Sequence, residues 1–115
     1  MHSTLRIALC GVGLEAYWEQ FDGLVDTPGR AREAGRQCRA SNADVLFLYV
    51  TTYALSNTVL PLVQRAGVPV IVLNLQPHAA IDYAAFNSLP NRTKMTGHWL
   101  AYCSAYPVPE IANGL

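Results

Sequence analysis

Three short apolar runs constrain this chain more than any other feature. Leu5-Arg6-Ile7-Ala8-Leu9-Cys10-Gly11, Asp44-Val45-Leu46-Phe47-Leu48-Tyr49-Val50 and Val68-Pro69-Val70-Ile71-Val72-Leu73-Asn74-Leu75 are each about as long as one strand. They are near-continuous rather than alternating, which is the pattern of strands covered on both faces in a parallel sheet. Between them lie helical patterns. Thr27-Pro28 supplies an N-cap followed by proline at the first helical position, and Ala31, Ala34 and Cys38 form an apolar stripe that Arg30, Arg32, Arg36 and Arg39 avoid. Val59, Leu62, Val63 and Ala66 share a second helical face that stops at Gly67, a natural C′ residue. Within it Pro61 fits the first turn if Thr58 is the cap. Met95, Trp99, Tyr102, Cys103 and Tyr106, at spacings of three and four, predict a third helix. Alternating strands and helices define an α/β domain: an open parallel β-sheet with flanking helices, Rossmann- or flavodoxin-like and three-layered. With 115 residues, the whole of 1–115 is expected to form one such domain.

Two places look short for that architecture. The stretch from Glu15 to Asp26 cannot hold both a full helix and a further strand, so one strand of the sheet is expected to be lacking. At the other end Pro109-Glu110 is a helix-start signal within about six residues of Leu115, which reads as a shortened domain. Only 14% of residues are charged, against roughly 25% in an average globular domain, so much of the surface is expected to lie against a partner.

Charge and cysteine usage narrow the function classes. Eight basic and eight acidic side chains cancel, which argues against binding nucleic acid or an anionic membrane through an excess of basic groups. No run approaches the roughly 18 apolar residues of a membrane span, and the N-terminus has no signal-peptide pattern. A cytoplasmic location is the expectation. Cys10, Cys38 and Cys103 are too scattered for a disulfide framework or a zinc site, and all three sit in apolar patterns as small hydrophobes. Gly11-Val12-Gly13 opens like a dinucleotide fingerprint, but the third glycine is replaced by Ala16, and Tyr17-Trp18 would crowd the pyrophosphate. A tight turn leaving a strand accounts for it better. His2, His78 and His98 have no ligand spacing, and Glu15, Asp82 and Glu110 form no pair for acid–base work. What remains is a polar strand-end surface: Thr51-Thr52-Tyr53 after the second strand and Asn74-Leu75-Gln76-Pro77-His78 after the third, where open parallel sheets bind ligands.

The strings Tyr49-Val50-Thr51-Thr52-Tyr53-Ala54-Leu55-Ser56, Val72-Leu73-Asn74-Leu75-Gln76-Pro77 and Lys94-Met95-Thr96-Gly97-His98-Trp99-Leu100-Ala101-Tyr102-Cys103, followed by Pro107-Val108-Pro109-Glu110-Ile111-Ala112-Asn113, resemble the N-terminal domain of the L-arabinose isomerase and L-fucose isomerase-like family. Gly11-Val12-Gly13-Leu14-Glu15-Ala16-Tyr17-Trp18 resembles that family's opening strand and loop. The resemblance implies an aldose–ketose isomerase of carbohydrate metabolism. Its divalent metal, usually manganese (Mn2+), and its proton-transfer carboxylates belong to later domains absent from this chain. It also implies that Glu15, Tyr17 and Trp18 form a loop reaching a neighbour's site, and that Gln76 and His98 lie near the shared cleft; Thr51 and Thr52 join them as candidate substrate contacts by their strand-end position. His98 stands where that motif commonly has an acidic residue. The chain is then expected to be a pocket-wall and subunit-contact fragment without activity alone, in a homo-oligomer or against other isomerase domains. The alternative is a stand-alone sugar-binding or interaction module.

Overall fold

A computed structural model of the chain describes residues 3–13, 24–51, 54–76, 78–100, 102 and 107–115. β1 (Ile7–Val12), β2 (Val45–Val50) and β3 (Val70–Leu73) form one sheet in the order β1-β2-β3, with both pairings parallel. The helices that join them are α1 (Pro28–Ala40) and α2 (Ser56–Ala66). This is the expected open parallel α/β sheet with flanking helices. Asp44 pins the start of the sheet: its carboxylate accepts from Arg6 N–H at 2.8 Å while its own N–H donates to the Arg6 carbonyl at 2.8 Å.

Side chains alternate across the sheet, so each strand has an even-numbered and an odd-numbered face. Leu46, Leu48 and Val50 are fully covered and, with Val12, form the core beneath the helices; Ala8, Cys10, Val70 and Val72 pack against it. On the other face Leu9 is 70% exposed, Ile7 54% and Ile71 46%. Covering on both faces, which the unbroken apolar runs predict, is therefore not what the described residues show. A run of apolar residues has the same composition whether its second face is covered or open, so its sequence cannot distinguish the two.

α1 begins as expected, with the Thr27 hydroxyl accepting from Arg30 N–H at 3.2 Å and proline in the first turn. Ala31, Gly35 and Cys38 are its buried face. Gly35 sets the approach to α2: a Cβ there would lie 2.6 Å from the Leu62 carbonyl oxygen and 2.8 Å from Arg65 Cβ. α2 buries Thr58, Val59, Leu62 and Ala66 and ends at Gly67, whose φ of 63° is the left-handed conformation that glycine adopts without strain. Its start differs from expectation. The N-cap is Leu55, not Thr58, which leaves Pro61 inside the helix rather than in its first turn.

The missing cap is supplied from far along the chain. α5 (Pro107–Gly114) lays the Glu110 carboxylate against the start of α2, where one oxygen accepts from Ser56 Oγ at 2.5 Å and from Ser56 N–H at 3.3 Å. A carboxylate at a helix N-terminus also meets the positive end of the helix dipole. Ile111 beside it is buried in the core, and Leu60 packs next to Gly114. Two further helices precede α5. α3 (Tyr83–Asn87), which the sequence pattern does not predict, is capped by the Asp82 carboxylate accepting from Ala85 N–H at 3.1 Å. α4 (Arg92–Leu100) covers part of the predicted third helix, but its buried residue is Leu100 and Trp99 is exposed. Cys103 and Tyr106 lie outside the described residues.

On the far side of β1, Val25 forms a single parallel bridge to Val12, donating to the Gly11 carbonyl at 3.0 Å and accepting from Gly13 N–H at 3.3 Å. Among the described residues, that one bridge occupies the place of the strand the sequence lacks room for.

Candidate functional site

Because all three strands are parallel, their carboxyl ends emerge on one edge of the sheet, and the polar residues that follow them gather there. Thr51 leaves β2 and is held twice by the end of β1: its N–H donates to the Val12 carbonyl at 3.0 Å and its hydroxyl donates to the same oxygen at 2.9 Å. The hydroxyl proton is thereby committed, which leaves the oxygen's lone pairs as acceptors. Beyond β3, Gln76 Nε2 donates to Asn74 Oδ1 at 2.8 Å, which orients two exposed amides as a unit. From the predicted site, the structure sets these two strand-end groups on the same edge of the sheet, each bonded within its own group.

Glu15, Tyr17, Trp18 and Thr52 lie outside the described residues. His98 sits on α4, its ring 5.9 Å from that of Phe86 and 5.8 Å from that of Tyr102 at tilted angles. Among the described residues no three His, Cys, Asp or Glu side chains gather, so no manganese ligand set can be drawn from them. No described helix is long and apolar enough to cross a membrane.

A second feature was not foreseen from the sequence. A cavity of about 360 Å³ opens between β1 and α1, lined among others by Cys10, Val25, Ala34, Gln37 and Cys38. Small residues face one another here, Ala8 and Cys10 from the strand and Ala34 and Cys38 from the helix, and that coincidence is the signal in the sequence that could have found it. Both thiols are free. Burial, with Cys38 nearby as a lesser cause, pushes the Cys10 thiol up to about 11, and burial also raises Cys38. Both are thus protonated at neutral pH, and a protonated thiol is a poor nucleophile. They behave as packing groups, as their apolar settings predict.

Comparison with protein-family models, characterised proteins and solved structures gives no match to this chain.

Proposed function

We infer that this chain is a pocket-wall and subunit-contact domain of an aldose–ketose isomerase of the L-arabinose and L-fucose isomerase-like kind, acting in the cytoplasm and inactive alone. The observation that supports this reading best is the gathering of Thr51, Asn74 and Gln76 at the carboxyl ends of parallel strands, the edge at which open α/β sheets receive ligands. A hydroxyl oxygen and a pair of amides offer the mixture of donors and acceptors that recognises a sugar's hydroxyl groups. Moving a proton between adjacent carbons needs more: a placed base, and a metal or equivalent group polarising the two oxygens. In this reading manganese, its ligands and the base come from polypeptide that packs against this edge. Incubating the chain with manganese and L-arabinose or L-fucose should yield no ketose. Turnover that stays with the chain through stringent purification would overturn the reading.

A stand-alone sugar binder is the second reading, favoured by the Gln76–Asn74 bond, which fixes an exposed amide pair before any ligand arrives. It predicts a saturable rise in melting temperature with one member of a sugar panel, lost in Gln76→Ala.

A further inference from the structure

We propose that α1 and α2 together form a binding site for a compact multivalent anion, a ligand carrying a diphosphate group. The proposal does not depend on the sugar reading. An open pocket of about 600 Å³ lies on these two helices, lined by Gly29, Arg32, Arg36 and Arg65. Every side chain lining it is therefore a guanidinium. It shares no residue with the strand-end groups or with the cavity beside Cys10.

Packing brings these arginines together from two directions. Gly29, Arg32 and Arg36 follow one another at spacings of three and four along α1, so they stand on one face of it. Arg65 comes from the last turn of α2. It reaches the same pocket because α2 is pressed against α1 at Gly35, where an added Cβ would lie 2.8 Å from Arg65 Cβ. At the other end of the row a Cβ on Gly29 would meet only Thr27 Oγ1, at 4.0 Å, so the pocket stays open there.

The two helices carry an uncompensated charge. They hold five of the eight basic side chains and one of the eight acidic ones, Glu33. Glu33 pairs with Arg36, but both partners are more than half exposed, so a ligand can take over that bond at little cost. Arg32 and Arg65 have no carboxylate partner among the described residues. Helix stability accounts for Arg65, which meets the negative end of the α2 dipole. It does not account for Arg32, which lies in the first half of α1 where a cation gains nothing from the dipole. A bound anion relieves the repulsion. Guanidinium forks engage phosphate oxygens two at a time, a geometry that a spherical anion cannot use. Three forks taking two oxygens each outnumber the oxygens of one phosphate group, and a diphosphate has enough. An extended polyanion is disfavoured by the rest of the chain, where three basic side chains stand against seven acidic ones.

Isothermal titration calorimetry of the full chain with inorganic pyrophosphate tests this. One pyrophosphate should bind per chain, with inorganic phosphate weaker by roughly tenfold or more. Arg32→Gln and Arg65→Gln, both at exposed positions, should each weaken binding by roughly ten- to a hundredfold and leave circular dichroism unchanged. Arg92→Gln, which removes an exposed charge outside the pocket, should bind like the wild type. Adenosine diphosphate separates the sources: binding as tight as that of pyrophosphate assigns the group to a nucleotide, weaker binding to free diphosphate, and either supports the site. Absence of saturable binding, phosphate binding as tightly as pyrophosphate, pocket variants that bind like the wild type, or Arg92→Gln weakening binding as much as Arg65→Gln would each overturn the proposal. So would a single-stranded oligonucleotide that binds more tightly than pyrophosphate and displaces it, which would assign the patch to nucleic acid.

Discussion

The two faces of the sheet are built from the same kinds of residue and meet opposite fates. Leu46, Leu48 and Val50 alternate along β2 with Val45, Phe47 and Tyr49; the first set is fully buried beneath α1 and α2, and the second is only half covered. On β1 the contrast is sharper, with Val12 buried and Leu9 70% exposed. Apolar character is thus not what separates the faces. What separates them is whether a helix with a matching stripe follows each strand and lies back on it. Both crossover helices, locked by the close approach at Gly35, lie on the same side.

Substitutions on the two faces should therefore differ most in stability. Leu48→Ala, which empties a fully covered position, should lower unfolding free energy by about 2–5 kcal/mol in a urea titration. An effect below about 1 kcal/mol would mean that the helix side is not the core. Gly35→Ala comes next. Its Cβ would press on the Leu62 carbonyl and on Arg65 Cβ, forcing α1 and α2 apart at a cost of about 1–3 kcal/mol, seen as a lower denaturation midpoint with little change in slope. Glu110→Gln keeps the size of the side chain and weakens the bond to Ser56 and the dipole interaction; a loss of about 1 kcal/mol is expected, and Ser56→Ala in the same background should add little.

Cys10, on the covered face, gives a pH signature. Its thiol ionises near 9.0 when unfolded and near 11 when folded, so the folded state holds the proton more tightly. Its stabilising contribution is full below pH 9 and is lost as pH rises from about 9 to about 11, by up to about 3 kcal/mol. Comparing wild type with Cys10→Ala in alkaline urea titrations isolates that slope. Smallest of all is Leu9→Ala on the open face, expected to change monomer stability by no more than about 0.5 kcal/mol. A larger loss measured at low concentration would mean that this face is packed within a single copy.

Much of the fold was legible in the residues, because it rests on local signals. The three apolar runs became the three strands, Thr27-Pro28 capped α1, and Gly67 closed α2 in the left-handed conformation. Less visible was whatever depends on partners distant in the chain. Thr58 reads as a helix cap by its type, but the bonds to Ser56 from Glu110 start the helix earlier and move Pro61 inward. Trp99 fits an apolar stripe by spacing, yet it is exposed and Leu100 takes the buried place. At the candidate site, the strand-end position of Thr51 and Gln76 follows from parallel topology alone. The hydrogen bonds that hold Thr51 to Val12 and Gln76 to Asn74 do not, since they depend on register and rotamer. His98 is grouped with them by motif, and its ring lies beside those of Phe86 and Tyr102, which spacing alone does not show.

The Glu110–Ser56 bond joins residues 54 positions apart, which has a consequence for birth at the ribosome. At translation speeds of about 5–20 residues per second, Ser56 is made roughly 3–11 s before Glu110. For those seconds α2 and the strands beside it must persist without their clasp. A nascent chain paused in that interval should be cut more readily by protease near Ser56 than one released with α5 in place.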